Sequence, residues 1–359
     1  MVKITHRVRY PPFESKRIIP KHIEVAEHTF EVNGATVPEF TIGNEESWII
    51  ERIVQGDSEI DCSHHGTEPQ IITAQRTGWY LTPNPIHAKV RKFMTITVIF
   101  LLTCLFYLFT VPIQDSLGIP TFGTGKIRLG LLDYPLLAVL VVPLMLAPLV
   151  IRATANVTDL NRQRLFLNNP PVPPKISIGK VTSGENLEGK ITIPETPEGW
   201  ENIRISWRVG VLPPARHKVF EKLERDIDGQ PPPGLTTPLP HHWERGLDDG
   251  TGMGEDAPMQ NHDLPGGFFL RPMRMMGRGG KMDLPIAGGE FNLEPPRGKW
   301  PGTLYGDLVR IHWEVIVQIF REKGGTLLWA MPITVEHSGE KIVNTDVTIY
   351  DGRSENDAF

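Results

Sequence analysis

Between Phe93 and Gln114 the chain runs twenty-two residues without a charged side chain, and Leu129–Ile151 nearly repeats this, with Asp133 its only charge. A helix rises about 1.5 Å per residue and the hydrocarbon core of a bilayer is roughly 30 Å thick, so each stretch is long enough to cross. Only Asp115–Arg128 separates them, too little to hold a domain. The pair therefore reads as a transmembrane helical hairpin whose two large flanks share one side. The expected protein is an integral, multi-pass membrane protein with the lipid bilayer as its first partner.

Flanking charge sets the expected orientation. Lys89, Arg91 and Lys92 precede the first span, and Arg152, Arg162 and Arg164 follow the second. In the connection, Lys126 and Arg128 are offset by Asp115 and Asp133. The positive-inside rule then puts both termini in the cytoplasm. The N-terminal MVKITHRVRYPPF has no apolar signal core. Cys62 and Cys104 are the only cysteines, and Cys104 lies mid-span, so neither a disulfide nor an oxidising compartment is implied. Pro143 should kink the second span, a distortion that packing against the first helix can absorb. Asp133, beside Tyr134, is expected at the interface rather than as an intramembrane acid. A net charge of −5 without a concentrated basic face argues against a nucleic-acid partner.

The soluble parts differ in legibility. Residues 1–88, broken by Pro11, Pro12, Pro20, Pro38 and Pro69, read as a small, poorly defined region, either α+β or partly disordered. Within it Ser47–Val54 is read as a short helix and Gln70–Leu81 as a strand or two. The hairpin occupies 93–151, as 93–114 and 129–151. A polar linker, 152–174, ends in Pro170–Pro174, whose prolines favour a stiff polyproline II spacer. Beyond it the pattern changes to period two. Ile203, Ile205, Trp207, Val209 and Val211 alternate with Arg204, Ser206, Arg208 and Gly210, and Val309–Ile319 alternates likewise around Arg310, His312, Glu314 and Gln318. Such alternation specifies strands with one apolar face and the other toward water. With the runs Lys175–Val181, Leu187–Ile193, Gly289–Leu293, Leu327–Val335 and Val347–Tyr350, about seven strands are expected over 175–351, the number of an antiparallel sandwich. Gly324-Gly325 supplies a tight hairpin turn and His337–Glu340 a second reversal. A Gly/Pro/Met-rich insertion, 226–288, follows a short helix at Arg216–Arg225. Within it Pro231–Gly234 and Gly277–Gly280 are read as unable to hold regular structure, and 352–359 is a tail.

Several residues invite chemistry. Cys62-Ser-His-His-Gly66 gathers three metal-ligand types, but a structural zinc site needs two spaced pairs and the second is missing; it reads as a polar loop. Gly250–Gly254 lacks the strand and helix that a phosphate-binding loop requires. Asn156-Val-Thr158 is a glycosylation sequon that has meaning only on an outward-facing flank. Six of the ten methionines fall between Met253 and Met282, among Arg271, Arg274, Arg278 and Lys281. Thioethers hold Cu(I), but these cations repel a metal ion. Methionine also suits adaptable contact surfaces, so Met273, Arg274, Met275, Met276 and Arg278 are the expected partner-binding residues. No nucleophile stands with a base and an orienting acid. Neither catalytic residues, nor a cofactor, nor a metal is expected.

The elements of Lys175–Tyr350 resemble one lobe of the arrestin fold, as in stand-alone prokaryotic arrestin-like domains. The resemblance lies in Ile178–Ile193 with its Gly-x-hydrophobic edge, the long strand Ile203–Val211, Gly289-Gly-Glu-Phe-Asn-Leu-Glu-Pro-Pro296, and Trp300–Trp313 feeding a strand that carries an aromatic. It covers about half the chain. It implies an Ig-like β-sandwich and non-enzymatic protein–protein contact at a membrane, without assigning functional residues. Eukaryotic arrestins have two lobes joined by a buried charged network, whose counterpart is not recognisable here. The expected architecture is a membrane-anchored all-β protein, two transmembrane helices followed by an antiparallel sandwich. Its expected role is an adaptor or scaffold that binds an unidentified protein. The alternatives are an outward-facing domain with a metal-handling or hydrolytic accessory role, and a small subunit of a larger membrane complex.

Overall fold

A computed structural model describes residues 1–11, 15–67, 76–82, 86–214, 216–226, 270, 273–323 and 325–350. The chain forms two compact units, one from Met1–Thr82 with Asn169–Phe359 and one from Pro83–Asn168. The helical unit is thus inserted into the sequence of the other. In chain order the strands before it are β1 (Val2–Arg9), β2 (Ala26–Val32), β3 (Phe40–Gly43), β4 (Ile49–Gln55) and β5 (Gly78–Leu81). The helical unit holds α1 (Ile86–Ser116), β6 (Lys126–Leu129), β7 (Leu132–Pro135) and α2 (Leu136–Asn168). After it come β8 (Lys175–Ile178), β9 (Leu187–Thr192), β10 (Trp200–Val211), α3 (Arg216–Lys222), β11 (Met275–Pro285) and β12 (Gly288–Leu293). Next are β13 (Leu304–Tyr305), β14 (Arg310–Arg321), β15 (Leu327–Ile333) and β16 (Ile342–Asn344).

In the helical unit α1 packs against α2. Among the described residues one helical segment, Lys92–Ser116, is long and apolar enough to cross a membrane, with a mean hydropathy of 2.4. Only 6% of its most apolar window is buried, and Phe106 and Phe109 are 70% and 78% exposed. A water-soluble helix covers such a surface, because burying a Phe or Leu is worth about 1.5–3 kcal/mol. The second expected span departs from expectation at its start. Leu129–Pro135 belongs to the β6–β7 hairpin, and helix begins only at Leu136. Tyr107 fastens that connection, its hydroxyl donating to the Phe122 carbonyl (3.1 Å) and accepting from the Phe122 N–H (2.6 Å).

The other unit is mostly β-sheet, consistent with a β-sandwich-like fold. A six-stranded sheet runs β11-β10-β14-β15-β5, with β13 beside β14, and a three-stranded sheet runs β12-β9-β8. Both are antiparallel throughout. The alternation read from the sequence appears in full on one face. Ile203, Ile205, Trp207, Val209 and Val211 stand opposite Ile319, Val317, Val315, Trp313 and Ile311, all buried. Leu187 and Ile191 on β9 and Phe291 and Leu293 on β12 are buried as well. The indoles of Trp207 and Trp313 lie 5.2 Å apart, and each N–H is satisfied by a carbonyl, of Glu294 and Pro301 respectively. Gly325, at φ 73°, lies between the antiparallel β14 and β15, while Gly324 lies outside the described residues.

Three expectations need correction. The centre of the alternate face of β14 does not meet water: His312, Glu314 and Ile316 are 0% exposed, while Arg310 and Gln318 toward its ends are partly exposed. Leu270 joins Tyr80, Ile316, Leu328 and Ala330 in one cluster over that face, and Met273 packs on Gly210. The N-terminal region, secondly, is neither a loose tail nor a separate α+β unit. A five-stranded sheet, β16-β3-β4-β1-β2, draws its edge strand β16 from beyond the helical unit, in parallel with β3. Ser47–Val54 contains most of β4 rather than a helix, because Ile49 and Ile50 are buried in register with Arg9 and Val8 of β1. Likewise β5 pairs with β15, closing the edge of the six-stranded sheet; Gln70–Gln75 lie outside the described residues. Gly277–Gly280, finally, sits within β11. A Cβ at Gly277 would strike the Trp300 indole and one at Gly279 the Trp207 indole, so glycine is what lets both rings lie on the strand. Pro231–Gly234, Gly250–Gly254 and the tail 352–359 lie outside the described residues.

Candidate functional site: a buried carboxylate beneath a cationic cleft

Glu314 occupies the centre of β14, facing away from the tryptophan core, and is reached by cations from β10 and from the residue run leading into β5. Arg208, its cross-strand neighbour on β10, reaches the carboxylate through Nε (2.7 Å) and Nη2 (2.6 Å). Arg76, just before β5, grips it bidentately through Nε (2.8 Å) and Nη2 (2.7 Å). His312 closes the group, with Nε2 3.1 Å from Glu314 and Nδ1 2.7 Å from the Tyr305 hydroxyl. With Nε2–H donating to the carboxylate, Nδ1 accepts from Tyr305. The paired guanidiniums hold the Glu314 carboxyl well below the usual carboxylate range despite complete burial, which alone would raise it. The group is thus an ionised carboxylate fixed by charge-assisted bonds, which serves poorly as a proton donor. Arg76 is beyond any local sequence signal, because 238 residues separate it from Glu314. A charged residue on a strand otherwise full of Val and Ile was the available hint for the rest.

Arg208 also lines a cleft of about 300 Å³ on the β10–β11 surface. Arg204, Arg278, Lys281 and Arg297 line it too, against the single acid Glu294. A β-bulge opens this region. Ser206 pairs with Lys281 and Arg208 with Arg278, so Trp207 opposes both Gly279 and Gly280. The two side-chain-free positions on the bulged strand make room for the Trp207 indole and for Glu294 to lie against β11. Arg204 is held bidentately by Asp283, at 2.7 and 3.1 Å, and the Arg278 guanidinium lies 4.9 Å above the Tyr350 ring.

The five residues expected to bind a partner fall partly here, and most are not available for contact. Met273, Met275 and Met276 are 1%, 0% and 2% exposed, packed with Leu212 and Tyr305 or hydrogen-bonded into β11. They are core rather than an exposed methionine patch, which periodicity could not show because Met suits a core gap as well as a surface. Arg274 and Arg278 are partly exposed, and only Arg278 reaches the cleft. Met253, Met259 and His262 lie outside the described residues.

A further buried cation, Arg52, sits in the N-terminal sheet. Arg52 donates to His6 Nε2 (2.7 Å) and to the Thr36 hydroxyl (2.5 Å), and burial lowers its pKa to about 10. Burial, with Arg52 beside it, pushes His6 down to about 3, so the imidazole stays neutral and accepts. His337 is likewise lowered to about 4 by burial, taking the Gly302 N–H on Nδ1 and giving Nε2–H to the Thr303 carbonyl. The Cys62–His65 loop is docked through its backbone: the Cys62 and His65 carbonyls accept from the N–H groups of His337 and Tyr305. Cys62 and Cys104 are both free thiols.

Comparison of the sequence with models of known protein families finds no match, and comparison with curated proteins finds none either.

Proposed function

We propose that this chain is a two-pass integral membrane protein whose β unit is a non-enzymatic protein-interaction module, an adaptor or scaffold, with both termini in the cytoplasm. The observation that carries the reading is strand pairing across the insertion. β5, from before the helical unit, pairs with β15, and β16, from after it, pairs with β3. Both flanks must therefore fold in one compartment, which requires an even number of membrane crossings. α1 supplies one crossing, with its phenylalanines exposed as a lipid-facing helix would have them, and α2 supplies the return. The arrestin-like reading draws support from the order of its motifs, with Ile178–Ile193 running from the last residue of β8 through β9 and Trp300–Trp313 leading through β13 into β14. A non-catalytic role is supported by the occupation of the buried ionisable groups. Glu314 and His312 are engaged in internal bonds, and His6 and His337 are held neutral.

The test has two arms. Alkaline carbonate should leave the full-length chain in the membrane, and an impermeant maleimide should label Cys62 only after the cells are opened. Extraction by carbonate would remove the anchor, and labelling on intact cells would turn the β unit outward. Cross-linking in native membranes should join the chain to a second protein; recovery of the chain alone would remove the interaction reading.

A further inference from the structure

The cationic cleft on β10 and β11 presents Lys281 and Arg297 exposed at its rim, and its chemistry specifies an occupant. We infer that it receives an acidic peptide segment of a protein partner, one with at least two carboxylates, an inference that rests on the interaction reading above. Five basic side chains line about 300 Å³ with Glu294, and Arg204 and Arg208 among them are already paired with Asp283 and Glu314, so the cationic excess rests on Arg278, Lys281 and Arg297. Lys281 and Arg297 stand exposed at the rim, on different segments, β11 and the turn after β12. A single carboxylate is satisfied by one arginine fork, whereas two exposed cations on separate segments call for two.

Carboxylate is the chemistry these arginines already accept. Arg204, at one end of the cleft, takes Asp283 in a two-point grip, and Arg208 takes Glu314. The bulge at Trp207 is filled from within, because the Trp207 indole and Glu294 occupy the space beside Gly279 and Gly280, so an occupant meets the side chains of the rim rather than the backbone. Glu294 lies on the same wall. Its charge opposes an acidic occupant, which gives the proposal a substitution that should strengthen binding as well as one that should weaken it.

The test uses the full chain in detergent micelles and a fluorescent, end-blocked peptide of alternating Glu and Gly, with the Gln–Gly peptide as its neutral twin. The Glu peptide should bind at least tenfold more tightly than the Gln peptide and weaken as sodium chloride is raised, since exposed charges are screened. Exchanging Lys281→Ala together with Arg297→Ala should weaken binding about tenfold, at roughly 1 kcal/mol or less per exposed charge pair. Glu294→Gln should tighten it several-fold. All three positions are exposed, so the melting temperature should not move, and a melt of each variant checks this. Equal binding of the two peptides would overturn the proposal, as would wild-type affinity in the Lys281/Arg297 variant. Inorganic phosphate competing at lower concentration than the peptide would reassign the cleft to phosphate, and preferential binding to phosphatidylserine vesicles would reassign it to the membrane. None of these outcomes bears on the membrane anchor, which carbonate extraction tests separately.

Discussion

Replacing Glu314 with glutamine keeps the shape of the side chain and one acceptor oxygen while removing the charge that faces Arg76 and Arg208. At the observed 2.6–2.8 Å contacts the charge centres lie about 4 Å apart, where an effective dielectric constant of about 20 gives about 4 kcal/mol per pair. The desolvation of three buried ions offsets most of that sum, so the intact group contributes little net stability. Removing only the carboxylate is different, because two guanidiniums that are 6% and 3% exposed then repel one another without an anion between them. Breaking a buried pair in this way costs about 3–5 kcal/mol. For a unit of this size about 2–4 °C is lost per kcal/mol, so Glu314→Gln should melt about 6–20 °C below the wild type. Tryptophan fluorescence of the full chain in detergent reads the transition, since Trp207 and Trp313 lie on the opposite face of the same strands. The double change Arg76→Gln with Glu314→Gln removes one of the stranded cations and should recover part of the loss, a coupling that a double-mutant cycle isolates. A single variant melting within about 2 °C of wild type would refute the view that Glu314 is the counter-ion of both arginines.

Three further outcomes follow from the same structure. His6 and His337 are neutral in the folded chain, at about 3 and 4, but take protons near 6.5 when unfolded. Their contribution is complete above about pH 7 and falls by about 2 kcal/mol per histidine toward about pH 5, and His6→Gln should flatten the pH dependence of urea unfolding. Gly279→Ala places a methyl group against the Trp207 indole and should destabilise by about 1–3 kcal/mol, with a loss of near-ultraviolet circular dichroism from that ring. Met275→Ala, at a position with 0% exposure, should cost about 2–5 kcal/mol in urea unfolding, where a surface methionine would cost almost nothing.

Alternation along Ile203–Val211 and Val309–Ile319 was enough to place β10, β14 and their apolar face, because side-chain direction in a strand is set by local geometry. The length of Phe93–Gln114 likewise fixed a helix of membrane-crossing length without reference to anything else. The covering of the second strand face was not local. Whether Arg208 and Glu314 meet water depends on Arg76, Leu270 and Met273, which come from distant parts of the chain. The same limit hid the N-terminal sheet: β16 pairs with β3 although the whole helical unit lies between them in the chain, and no local pattern names such a partner. It also misplaced the methionines, whose flexible side chains carry no periodic signature to separate core from surface. Sequence alone determined which residues share a face; the tertiary structure decided what lies on it, because long-range pairing and burial are properties of partners that local pattern does not name.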